Sequence, residues 1–197
     1  IVVKARKGDI WNPAALKRLY EVTQAVTFLP NVERLGVQSL WTPNSFVNEI
    51  TEEGFRADPI IPATVTPESL DAETIATIAQ TSALGGYVCT LVARDQTSAM
   101  ITAELNEYDK GGVHIDYVAY NQILEQQIRA KFEDKDFEIQ IIGFAKQIGD
   151  IADGARRVIL FFVAAFLLIT ILVALYSQLW RLALIVVTCS LVAVIWQ

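Results

Sequence analysis

His114 is the one histidine in this 197-residue chain, so a catalytic triad, a histidine metal site or a histidine proton shuttle would rest on a single imidazole next to Gly111 and Gly112. A role in a loop or at a helix start fits it better. Asp150 and Asp153 are three residues apart on what reads as a helix, which puts both carboxylates on one side, where they could bind a cation or gate an ion path. Lys146, Arg156 and Arg157 lie close enough to explain the same residues as a solvated charged face. Glu49, Glu52, Glu53 and Asp58 offer calcium-type ligands, but their spacing does not match an EF-hand loop. Cys89 and Cys189 form no CxxC or Cys/His cluster and read as free thiols. Gly85-Gly86 and Gly111-Gly112 lack the strand, Gly-rich turn and lysine of a phosphate loop, and read as turns or hinges. No catalytic, cofactor or metal residue is expected, nor an enzyme activity.

The remaining candidates concern binding and movement. Trp41 and Phe46 are aromatic residues in a Pro- and Gly-punctuated stretch, able to line a groove for hydrophobic cargo, with core packing as their plainer role. Gly149, Asp150, Asp153 and Gly154 fall where the polar part of the chain meets its apolar tail, and could couple movement of one to the other.

The elements that must position these residues differ in kind on either side of Gly154. All 22 acidic residues and 13 of the 16 lysines and arginines precede it, a net charge of −9, so a nucleic acid partner is not expected. About 150 residues suffice for one globular domain. Behind it, Val158 to Leu175 is a run of eighteen residues in which Thr170 alone carries a polar side chain. At about 1.5 Å of rise per residue such a helix reaches roughly 27 Å, close to the bilayer's apolar thickness of about 30 Å. After a break at Tyr176 to Arg181, a second apolar run covers Leu182 to Trp196. Neither run holds an ionisable residue, so a proton relay is not expected within them. Thr188, Cys189 and Ser190 are small enough for close helix packing. Arg156 and Arg157 against Arg181 leave the orientation open by charge count, while Tyr176 and Trp180 suit a membrane interface. The apolar run at the end of the sequence and the absence of an initiator Met suggest an excerpt of a larger multi-pass protein.

Along the polar part, a β-branched strand at Ile1 to Arg6 is too polar for a signal peptide. Asn12-Pro13 supplies a helix cap and first turn, and Ala15, Leu19, Val22, Val26 and Leu29 form one apolar stripe ended by Pro30-Asn31. A second strand is expected over Val32 to Trp41, with Leu35 and Val37 on one face. Residues 42–86 read as an inserted stretch of loop and extended chain, holding one helix that starts near Thr66-Pro67, shows Ile75, Ile78 and Ala79, and stops at Gly85. Val88 to Ala93 and Ala99 to Leu105 suggest a hairpin around Arg94 to Thr97. A helix with Tyr117, Tyr120, Leu124, Ile128 and Phe132 on one face and a strand at Phe137, Ile139 and Ile141 complete two βαβ-like halves. The fold class expected is α+β, a ferredoxin-like split-βαβ domain over 1–144, then a helical connector at 145–157, a spanning helix at 158–176 and the start of another at 182–197.

The tail AKQIGDIADGARRVILFF, the tight pair of apolar runs and SLVAVIWQ resemble the resistance-nodulation-division (RND) transporter superfamily, closest to its MMPL-like predicted-exporter branch. The opening GDIWNPAALKRLYEVTQAVTFLPNVERLGVQSL resembles the strand-helix-strand that follows the first transmembrane helix there. The resemblance implies a periplasmic porter domain up to about residue 155, then helices two and three joined by a short cytoplasmic turn, in a bacterial inner membrane. It also implies proton-driven export of hydrophobic or amphiphilic, lipid-like cargo. The partners would be the lipid bilayer, that cargo and the rest of the transporter bundle, with a homo-oligomer allowed. The relay carboxylates of the family sit on a later helix and match no residue of this chain. A second expectation is a non-transporting membrane receptor or assembly factor with an acidic extracytoplasmic binding domain; a membrane-tethered hydrolase centred on His114 ranks last.

Overall fold

The computed structural model describes residues 1–51, 54–108, 111–177 and 180–196. The chain divides into two compact units, Ile1–Gly149 and Asp150–Gln197. The first is α+β. Its sheet has three antiparallel strands with β1 (Val2–Ala5) in the middle, β4 (Ser98–Met100) on one side and β5 (Phe137–Gln140) on the other. The register sets Val3 opposite both Ala99 and Ile139, three buried side chains on one face. That face is covered by helix α1 (Pro13–Thr27), whose stripe from Ala15 to Val26 is buried as the four-and-three spacing predicts. The start of α1 also follows the sequence: the Asn12 side chain accepts from Ala15 N at 2.8 Å, and Pro13 stands in the first turn.

The segment after α1 departs from the expected strand. Val32 bridges Leu105 and Gln38 bridges Thr102, both antiparallel, but between them Arg34–Gly36 winds into a 3-10 turn. Asn31 takes a left-handed φ of 59°, and the Glu33 carboxylate accepts from Leu35 N while its carbonyl accepts from Gly36 N. These local bonds compete with a continuous ladder. Leu35 and Val37 therefore do not share a face: Leu35 is 88% exposed and Val37 2%.

Residues 42–86 hold more structure than the expected loop. Strands β2 (Phe46–Thr51) and β3 (Gly54–Pro59) pair from Phe46↔Pro59 to Thr51↔Gly54. The arms of this ribbon are only six residues each, and Asn48, Gly54 and Pro59, residues that mark turns and breaks, interrupt them in the sequence. Helix α2 (Ala72–Leu84) starts at Asp71, whose carboxylate accepts from Thr74 N at 2.7 Å, and not at Thr66, which closes its own turn with Ser69. Ile75 and Ile78 are buried, and Gly85 caps the end. The expected hairpin is present but short. Ala93 N donates to Ser98 O and Met100 N to Leu91 O, while a left-handed Cys89 keeps the first arm from becoming a full strand.

The second long helix is built in three pieces: α3 (Tyr117–Ile123), a π-helical segment at Leu124–Arg129, and α4 (Ala130–Phe132). Tyr120, Leu124, Ile128 and Phe132 recur every four residues, which on a regular helix drifts by about 40° at each step. Wider i→i+5 turns remove that drift, and all four side chains are buried.

Helix α5 (Phe144–Ser177) includes the whole expected connector and the first apolar run, and helix α6 (Trp180–Trp196) the second. Among the described residues, α5 is the helix long and apolar enough to cross a membrane. Its apolar side chains from Val158 to Leu175 are largely exposed. Thr170 Oγ1 donates to Phe166 O and Thr188 Oγ1 to Leu184 O, both at 2.7 Å, so these hydroxyls are satisfied within their own helices. The chain positions 178–179 and 197, and the side chains of Trp180 and Arg181, lie outside the described residues.

Asp134 ties three elements together. Its carboxylate accepts from the Asp136 and Phe137 amides at 2.8 Å and pairs with Arg18 of α1 at 2.7 Å. Partial loss of water raises its pKa, but the two amides, Arg18 and Arg6 outweigh that and hold it below the usual carboxylate range. A depressed native pKa contributes stability above the unfolded value of about 3.9 that disappears as pH falls through the native one. Asp134→Asn should therefore lower the melting temperature of the chain at neutral pH. The gap to wild type should close as pH falls below about 4, and a gap independent of pH in a thermal melt series would contradict this account.

Candidate functional site

The first unit holds a groove of about 830 Å³, within the range of ordinary small-molecule sites. The end of α1 and the residues after it supply Val26 and Leu29, the end of β4 and the stretch after it supply Met100 to Ala103 and Leu105 to Glu107, and the second long helix supplies Tyr117, Tyr120 and Leu124. Ile141 to Lys146, which lead from β5 into α5, close the remaining side. The lining is mainly aliphatic and aromatic. At one edge Tyr108, His114, Tyr117 and Phe144 form a chain of edge-to-face ring contacts, with centroids 5.4, 5.9 and 5.3 Å apart in turn.

The first turns of α5 dock on the second long helix through Ala145, Lys146 and Gly149. Ala145 is buried. Lys146 is only 11% exposed, and its Nζ lies 2.8 Å from Glu125 Oε1, which Arg129 also approaches at 3.3 Å. The charges continue from Arg129 to Glu133 and from Glu133 to Arg6, the residue after β1. The outer pairs are half exposed and contribute about 0–1 kcal/mol each; the partly buried Lys146–Glu125 pair matters more, because removing either partner strands a charge with reduced solvation. One turn beyond Lys146, a Cβ built at Gly149 would collide with the side chain of buried Asn121. The missing side chain is what lets the two helices approach.

Polar atoms cluster along the same contact. Tyr120 Oη and Asn121 Oδ1 are buried without a hydrogen-bond partner among the described residues. Burial pushes the Tyr120 hydroxyl up to about 12, so it stays protonated at any physiological pH. Neighbouring Glu125 Oε1 and Arg129 Nε are buried atoms held by ion pairing.

Of the residues singled out from sequence, Gly149 belongs to this contact. Asp150, Asp153 and Gly154 fall in the other unit on α5, and a Cβ at Gly154 would meet nothing within 4 Å. Trp41 and Phe46 do not line the groove. Trp41 Nε1 donates to Leu16 O at 2.9 Å, and its ring packs edge-to-face on Tyr20. Phe46 stands at the start of β2, its amide donating to the Tyr87 hydroxyl and its carbonyl accepting from it. His114 sits in the loop before α3, with Nδ1 3.2 Å from the Ile115 carbonyl oxygen. Asp58 pairs with Arg56 at 2.6 Å, while Glu52, Glu53 and the Glu49 side chain lie outside the described residues. Among the described residues no three His, Cys, Asp or Glu side chains gather where they could hold a metal, and Cys89 and Cys189 are free thiols. The groove itself was missed. Tyr117, Tyr120 and Leu124 read from spacing as one core face, and nothing local signals that the end of that face is left uncovered.

No family model, curated protein or solved structure matches this chain.

Gly149→Ala should destabilise the chain by about 1–3 kcal/mol, as added volume in a filled contact does. Gly154→Ala should change stability by no more than about 1 kcal/mol, in the favourable direction set by helix propensity. Denaturant melts of both variants check the pair; equal effects would mean that propensity and not the Asn121 contact decides.

Proposed function

We propose that this chain is the first-repeat porter domain and adjoining helices of a proton-driven RND-type exporter of the MMPL-like branch. The groove handles hydrophobic or amphiphilic, lipid-like cargo, and α5 connects it to the membrane bundle. The groove carries the reading: about 830 Å³ of mainly apolar wall, closed on one side by the residues that begin α5. The strand order supports the porter fold as a ferredoxin-like, split-βαβ domain. Taken with the bridges of Val32 and Gln38 to Leu105 and Thr102, the order is 32–38, β4, β1, β5, all antiparallel. It is the order of two interleaved βαβ halves, with 42–97 inserted between them. The length and apolarity of α5 support a place in a membrane; a bacterial inner membrane, with the first unit in the periplasm, follows from the resemblance to the RND superfamily alone.

The test uses the intact exporter of which this chain would be a part, reconstituted in proteoliposomes with a fluorescent phospholipid as cargo. Movement should require a proton gradient, and Ala103→Trp, which fills the groove, should slow it by about tenfold or more, the loss of roughly 1.4 kcal/mol of binding. Movement without a gradient sinks the transport mechanism. Unchanged movement in Ala103→Trp sinks the assignment of the groove.

A further inference from the structure

We infer that the groove selects amphiphiles with a cationic head group, which it holds between Glu107 and the aromatic edge. This deepens the cargo reading above and rests on it. The inference comes from the charge balance of the wall. Two charged side chains line the groove, Lys146 and Glu107. Lys146 is already neutralised, with its Nζ 2.8 Å from Glu125 and little of the side chain exposed. Glu107 differs: it is exposed and joins no ion pair among the described residues. The uncompensated charge of the wall is therefore one carboxylate, set in a unit that is acidic as a whole.

That carboxylate stands on the same wall as two rings, since Glu107, Tyr117 and Phe144 all line the groove. Next to Glu107, Tyr108 bridges His114 and stacks its ring edge-to-face on the imidazole. The ring chain then runs on to Tyr117 and Phe144, which share the groove wall with Glu107. Phe144 is 65% exposed, and aromatic rings attract weakly hydrated cations such as quaternary ammonium groups. A carboxylate and ring faces at the mouth of an apolar groove match a molecule with a cation at one end and a hydrocarbon chain at the other. An anionic head would meet Glu107 without a free counter-charge.

The test uses the full chain in zwitterionic lipid nanodiscs at about pH 8. Radiolabelled dodecyltrimethylammonium and dodecyl sulfate, below their micellar concentrations, are measured by equilibrium dialysis with empty nanodiscs subtracted. The cation should bind about tenfold tighter than the sulfate, and Glu107→Gln should remove about fivefold or more of the cation affinity, as expected for one nearby charge. Added salt should weaken the cation in wild type more than in Glu107→Gln. Phe144→Leu, which keeps apolar bulk but loses the ring face, should also lower cation affinity. Equal binding of both probes, abolished by Ala103→Trp, overturns the head-group selection while leaving the groove as a cargo site. An unaltered cation affinity in Glu107→Gln overturns it as well. Binding of neither probe overturns both the selection and the cargo reading.

Discussion

The first turns of α5 lie against the second long helix through Ala145, Lys146 and Gly149, and the closeness of that contact is set by a side chain that is absent. At Gly149 the helix backbone approaches Asn121 to a distance no other residue type would tolerate. One turn earlier, Lys146 reaches Glu125 on the same helix. The two contacts act together, because the ion pair needs a short reach to stay partly buried and the short reach needs the glycine. The residues just before them, Ile142 to Phe144, close one side of the groove, so the width of the groove follows from how closely α5 is held.

The helix that receives α5 is itself adapted to the sheet beneath. Its apolar residues recur every four positions, a spacing a regular helix cannot keep on one face for long, and the i→i+5 turns of Leu124–Arg129 restore the alignment. On and just before this segment, four buried side-chain atoms, of Tyr120, Asn121, Glu125 and Arg129, have no hydrogen-bond partner among the described residues. Each such atom costs free energy unless it is held electrostatically, and the charge chain from Lys146 through Glu125 and Arg129 to Glu133 and Arg6 does that for two of them. The same chain ends at Arg6, directly after β1, the central strand of the three-stranded sheet. Sheet, helix and the start of α5 are thus linked by apolar burial, worth about 1.5–3 kcal/mol per large side chain, and by charges that fix their register.

The sequence by itself determined what depends on short spacing. Asn12-Pro13 and the stripe behind it dictate α1, since a cap and a 3.6-residue period act within a few turns. Phe137, Ile139 and Ile141 dictate β5, and the uninterrupted apolar run dictates a helix whose backbone groups must pair internally. Tertiary structure decided the rest. The β2–β3 ribbon forms by cross-strand pairing of two six-residue arms, too short and too interrupted by Asn48, Gly54 and Pro59 for spacing alone to announce it. The segment after α1 gives way to a 3-10 turn because Asn31 and Glu33 offer their own hydrogen bonds, which spacing of apolar residues cannot reveal. Gly149 was visible in sequence only as a break in helix propensity, and its partner Asn121 lies 28 positions away. The groove is the extreme case: its wall is assembled from residues 1 to 146, each of which would read as ordinary core or loop, and only the packing of α1, the sheet and α5 leaves the space between them open.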